Sequence, residues 1–131
     1  MDSPNLRNKH KWGWSRHLYL NQVLDIAIAV GEAGGESSLH YHQHKANLFI
    51  VRSGRVQIAL EDSCINLGPG ECYLSPPREK HRMVFLKDSV LFEVYTAEIG
   101  HGVDLADIVR LDEGKVPHSE STSPSTVCRT L

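Results

Sequence analysis

Histidine is the residue type with the most chemistry in this chain. There are eight in 131 residues, and His40, His42 and His44 follow one another at every second position, with His81 in a second polar stretch. Residues two apart in an extended strand share a face, so His40 and His42 in Leu39-His40-Tyr41-His42 present their imidazoles side by side. Neutral imidazole nitrogen is a good ligand for divalent transition metals, and a third ligand from elsewhere completes a facial set with open positions for substrate. His81, after Pro76-Pro77-Arg78-Glu79-Lys80, is the candidate for that third place. A lone HxH pair is also what an edge strand with surface histidines looks like; the second cluster favours the metal. His44 precedes Lys45-Ala46-Asn47, where a turn is expected, and is a further ligand, a support for the ligands, or solvated.

Holding such a set requires a stiff frame. Glycine and proline punctuate the middle of the chain at short intervals, and the stretches between them are rich in Val, Ile, Leu, Phe and Tyr. Strands are expected at Leu18–Leu20, Val23–Val30, Ser38–His42, Asn47–Arg52, Arg55–Leu60, Ser63–Leu67, Glu71–Ser75, His81–Phe85 and Val90–Thr96. So many short strands predict an all-β sandwich or barrel. Ser53-Gly54 reads as a tight hairpin turn, while Glu61-Asp62-Ser63 and Gly68-Pro69-Gly70 turn the chain again. Val103–Leu111 has apolar spacing for a short C-terminal helical or irregular segment. The organisation expected is an N-terminal arm over 1–11, one barrel over 12–115 and a flexible Ser/Thr/Pro-rich tail over 116–131.

Composition agrees with one domain and narrows the partners. Apolar residues make up 40% and charged residues 23% of the chain, which suits a single core. A formal charge of -2 gives no basic footprint for nucleic acid or an anionic membrane. The apolar run Val23–Val30 is interrupted by Asp25 and too short to span a bilayer, and Met1–Lys11 is polar, so an unexported protein is expected. Three cysteines, at 64, 72 and 128, show no CxxC spacing and cannot all pair within one chain, which fits a reducing cytoplasm.

Two longer patterns follow. Gly34, five residues, His40-x-His42, four residues, Asn47, six residues and Gly54 resemble the first cupin motif, which carries Glu where this chain has Asn47. Gly70, five residues, Pro76 and then His81 resemble the second, which usually has Gly at the Arg78 position and Asn at the Phe85 position. Lys11-Trp12-Gly13, Ser38 to Ala46, His81-Arg82 and Asp107 to Asp112 are similar to segments in the cupin domain of bacterial type II mannose-6-phosphate isomerases. The resemblance implies a single-domain cupin, a double-stranded β-helix or jelly-roll barrel, with one divalent metal (Zn, Mn, Fe, Ni or Co) held in its mouth by His40, His42 and His81. Asn47 replaces a carboxylate ligand, so the fourth position falls to its amide oxygen or to water.

Aldose–ketose isomerisation also needs a base between adjacent carbons and cations for the phosphate. Glu93, which shares a strand face with Tyr95, is a candidate base if it points inward; with Phe92 and Val94 as core, it points out. Among Lys45, Arg52, Arg78, Lys80 and Arg82, Arg82 beside His81 is the best candidate for contacting substrate. Trp12 and Trp14 are expected to pack on the outside of the barrel or on a partner rather than to stack on sugar. The expected function is a metal-binding cupin acting on a small sugar or sugar phosphate. The other readings are a three-histidine Fe(II) dioxygenase and a noncatalytic sugar-binding or regulatory module. A homodimer is expected, because pairing covers edge strands.

Overall fold

Alternation shapes the central strands, but not in the sense that the apolar residues suggest. In Leu24–Gly31 the buried positions are Asp25, Ala27, Ala29 and Gly31, whereas Leu24, Ile26, Ile28 and Val30 are only half-buried on the opposite face. In Ser89–Ala97 the inward residues include Leu91 and Glu93, and Phe92 and Val94 face outward. Along Leu24–Gly31 the inward side chains are small or polar, which leaves space between the layers for something other than hydrocarbon. This settles the direction of Glu93: it points in, because the apolar Phe92 and Val94 belong to the half-buried outer face.

The computed structural model describes residues 6–117 and contains eleven strands and, among the described residues, no helix. They are β1 (Asn8–His10), β2 (Gly13–Leu20), β3 (Leu24–Gly31), β4 (His40–Tyr41), β5 (Lys45–Ser53), β6 (Val56–Ala59), β7 (Cys64–Leu67), β8 (Cys72–Ser75), β9 (Arg82–Phe85), β10 (Ser89–Ala97) and β11 (Val109–Arg110). One layer is a six-stranded sheet in the order β1-β2-β3-β10-β5-β8. Facing it are the β7-β6-β9 sheet and the β11-β4 pair, which isolated bridges His40↔His81 and Glu36↔Val84 join to the β9 edge. No helix is long and apolar enough to cross a membrane.

One open expectation is decided and two change. Val103–Leu111 takes the irregular form rather than the helical one, and its end is recruited as β11, paired with β4. Ser53-Gly54 does not close a hairpin: β5 pairs with β10 and β8, whereas β6 pairs with β7 and β9. The turn carries the chain from one layer to the other. Gly54 takes φ of +87°, and a Cβ there would lie 2.3 Å from the Asp88 carbonyl oxygen, so only glycine fits the crossing. Within the expected arm, Asn8–His10 adds a strand to the sheet edge through β2. The tail expected over 116–131 lies, from 118 onward, outside the described residues.

The core fills one end of the sandwich. Phe49, Val51 and Leu91 from the large sheet meet Val56, Ile58, Met83 and Phe85 from the small one. Trp12, expected on the outside, is buried and stacks on Phe85 with ring centroids 5.1 Å apart. It closes the end of the core where the histidines begin, and burying a ring of this size stabilises the fold by ~2 kcal/mol or more. A Cβ on Gly31 would lie 2.2 Å from the Phe85 ring. Gly31→Ala is therefore expected to destabilise the protein by about 1–3 kcal/mol in denaturant titrations, with Phe85→Leu in the same chain recovering part of that loss.

Candidate metal centre

Three strand ends bring the histidines together. His40 begins β4, His42 follows its end and His81 immediately precedes β9; the His40↔His81 bridge is locked by reciprocal backbone hydrogen bonds of 3.1 and 2.9 Å. All three are buried. Their ring centroids are 4.5 to 5.5 Å apart, and one ligand atom from each lies within 4.8 Å of the others.

The hydrogen bonds fix which nitrogen is available. His40 Nδ1 donates to the Ser38 carbonyl (2.8 Å), His42 Nδ1 to the Asp107 carbonyl (2.7 Å) and His81 Nδ1 to the Glu79 carbonyl (3.0 Å). A carbonyl only accepts, so each ring carries its proton on Nδ1 and leaves the Nε2 lone pair free. His42 Nε2 and His81 Nε2 are buried and meet no hydrogen-bond partner among the described residues. Burial holds all three rings neutral: it lowers His40 well below the usual histidine range, His42 to about 4, and His81 in the same direction. Orphaned, neutral, convergent Nε2 atoms fit a divalent transition metal, and three histidines with an open position are a recurrent donor set for one.

Across the interior, a row of cross-strand neighbours on the large sheet faces this cluster. Register pairs Asp25 with Tyr95, Tyr95 with Asn47 and Asn47 with Ser75, so four polar side chains line up over four strands. Ser75 Oγ reaches His81 Nδ1 at 3.0 Å. Asn47 is 1% exposed, its amide has no hydrogen bond of ordinary geometry, and it lines a cavity of about 200 Å³ together with His40, Phe49, Glu93 and Tyr95. The fourth-ligand candidate thus lies on the inner face, where its amide approaches Glu93 and Tyr95. Tyr95 donates a hydrogen bond to Glu93. Burial raises the pKa of the Glu93 carboxyl, and the Tyr95 and Asn47 bonds only partly oppose it.

Lys45, expected to be solvated or to meet substrate phosphate, is buried: Nζ donates to the Asp104 carbonyl (3.1 Å) and lies 4.6 Å from the centre of the Tyr95 ring. The signal was available, since Lys45 is two residues before Asn47 on the same strand face. Asp25 was not singled out in sequence; it is 1% exposed and bonded to His17 Nδ1 at 2.7 Å. Asp107 is a further one. Besides its carbonyl to His42, its carboxylate accepts the backbone N–H of Gln43 (2.8 Å) and His44 (2.9 Å).

Two sequence candidates lie elsewhere. Arg82 is absent from the cavity lining; its guanidinium bonds Asp112 and sits 3.6 Å from Glu36. Strand direction explains this: His81 and Arg82 are adjacent and project to opposite faces. His44 stacks on His101 with centroids 3.9 Å apart and bonds Glu98, which also holds Arg78, so it belongs to a separate surface cluster.

Comparison with known proteins agrees with the architecture. The cupin domain family matches residues 27–95. Among solved structures, KdgF from Halomonas sp. superposes with a TM-score of 0.66 at 17% identity over 73% of this chain and 89% of its own. A cupin-2 domain containing protein from Shewanella frigidimarina gives 0.58 at 26% identity over 68% and 83%. Oxalate decarboxylase from Bacillus subtilis gives 0.68 at 16% identity over 81% of this chain but 30% of that longer protein. No curated protein matches the sequence.

Single replacements His40→Ala, His42→Ala and His81→Ala are each expected to abolish stoichiometric metal binding, measured by plasma mass spectrometry, while circular dichroism reports an intact β fold. Asp107→Ala, which removes the clamp on the His42 loop, is expected to lower metal affinity about tenfold or more in competition titrations without removing a ligand. With its two facing sheets, its inward histidines and the family match across 27–95, this chain belongs to the cupin family.

Proposed function

We propose that the protein is a metal-dependent cupin enzyme that moves a proton on a small sugar or sugar phosphate, in the manner of the isomerases whose cupin domain its sequence resembles. The observation that carries this reading is Glu93: a buried carboxyl on the large sheet, bonded by Tyr95, lining the same cavity as His40 and Asn47. Burial raises the pKa of this carboxyl, so it holds a proton more readily than a solvated carboxylate does, which suits it to take and return one.

The roles divide between the two walls. His40, His42 and His81 would hold the ion, which supplies Lewis-acid polarisation of a carbonyl or hydroxyl oxygen. Glu93 accepts the proton from one carbon and delivers it to its neighbour. Tyr95 orients Glu93 and donates to it when it is ionised. Phe49, at 1% exposure, keeps the base away from bulk water. A second reading, oxygen-dependent chemistry at Fe(II), is favoured by the neutral donor set, since Asn47 stands where a carboxylate would add negative charge.

Incubation of the metal-loaded protein with hexose 6-phosphates in deuterated water, followed by NMR, tests the first reading. The expected result is ketose formation with deuterium at the shared carbons. Glu93→Gln is expected to slow it by about 10²- to 10⁴-fold with metal content unchanged. Oxygen consumption by the iron form without isomerisation would move the assignment to the dioxygenase reading, and saturable sugar binding without turnover to a binding module.

A further inference from the structure

The cations around the centre differ in one respect. Arg82 is held by Glu36 and Asp112, Arg78 by Glu98, Lys80 by Glu61, and Lys45 is bonded inside the barrel. Arg110 has no ion pair or hydrogen bond among the described residues, yet it lines the same cavity as His40 and Glu93. Its position follows from β-sheet register. β11 pairs antiparallel with β4 so that Arg110 lies directly across from His40, and directly paired residues on neighbouring strands project to the same face. The guanidinium is therefore on the ligand side of the strand pair, whereas Arg82 is on the other.

Its surroundings complete an anion subsite. Lys11 and His10 line the same cavity from the opposite edge, and Ser38 adds a hydroxyl. Lys11 is paired only loosely, 3.7 Å from Glu113, a side chain that is 89% exposed and free to give way. The field of Arg110 reaches the His10 imidazole, where it adds to burial in lowering the pKa. Two acidic groups line this cavity: Glu93, which is bonded to Tyr95, and Glu113, the exposed partner of Lys11.

We infer that the substrate is a small organic anion whose carboxylate or phosphate is held at the cavity mouth by Arg110, with Lys11 assisting, while its reacting end reaches toward the three histidines. A guanidinium offers paired donors to two oxygens of such a group, and Arg110, exposed on β11, is open to an incoming anion. The inference deepens the proposed function by naming the charge of its substrate, and it rests on the reading that this cavity is where substrate sits. It assigns to Arg110 the anchoring that the sequence pattern suggested for Arg82.

The test is binding without turnover. Inorganic phosphate and malonate are titrated into the full chain, metal-stripped and dialysed in one series and metal-loaded in another, following the Trp12 indole by NMR, with glycerol as the neutral comparison. At least one anion is expected to bind saturably in the metal-stripped protein and to shift Trp12, which lines the cavity, while glycerol does not. Arg110→Gln is expected to weaken that binding about tenfold or more, and Lys11→Gln less. Arg110→Lys is expected to recover part of it, and Arg52→Gln, an exposed arginine on β5, to change nothing. Tighter phosphate or tighter malonate identifies the oxyanion. Failure of both anions to shift Trp12, or equal binding by Arg110→Gln, overturns the inference. Arg110-dependent binding with no isomerisation would refute the proposed reaction and leave the anion subsite standing. Turnover of a neutral sugar with KM unchanged in Arg110→Gln would refute the subsite alone.

Discussion

Everything at this site depends on three backbone carbonyls. Those of Ser38, Glu79 and Asp107 each take the Nδ1 proton of one histidine, and in doing so they choose the tautomer, the ring orientation and the direction of the remaining lone pair. A backbone carbonyl cannot rotate away as a side chain can, and each of these three lies in a loop within three residues of a strand, which helps to hold the Nε2 atoms convergent. The cost is three buried imidazoles, of which His42 and His81 keep an unsatisfied nitrogen, tolerated in a fold whose apolar core lies beside them.

The large sheet supplies the opposite half by an inversion of the usual pattern. Its bulky residues (Ile26, Ile28, Phe92, Val94) lie on the outer face, and its inner face carries Asp25, Ala27, Ala29, Asn47 and Glu93. Small residues open the cavity and polar ones line it. Because cross-strand register places Asp25, Tyr95, Asn47 and Ser75 in one row, a one-residue slip of β10 or β5 would turn that row away from the histidines and bring Phe92 or Leu48 inward. Phe49 and Leu91 on the neighbouring rows tie the register to the apolar core.

The closing segments connect this interior to solvent. The N-terminal residues His10 to Trp12 and the C-terminal residues Ile108 and Arg110 meet over the mouth of the cavity, although they lie at opposite ends of the described chain. Trp12 anchors the first through Phe85, and the β11-β4 pairing anchors the second to the strand that bears His40. Arg110 on β11 and Glu93 on β10 thus lie on different elements, which allows the roles proposed for them to be tested separately.

The sequence by itself determined the strand-rich character, the turn glycines and the spacing of His40, His42 and His81, because two-residue periodicity and left-handed backbone are local properties. Asn47 as a ligand candidate came from the resemblance to the first cupin motif, which carries Glu there. Only the tertiary structure decided which face of β3 and β10 is inside, since alternation gives two faces and does not say which one meets the other sheet. That choice turned Glu93 inward and made Lys45 a buried group. The crossing at Gly54, the pairing of β11 with β4 and the placement of Arg110, rather than Arg82, along the cavity likewise depend on contacts between residues far apart in the chain. No periodicity encodes which strand a segment will lie beside, so the histidines could be read from sequence and the cation facing them could not.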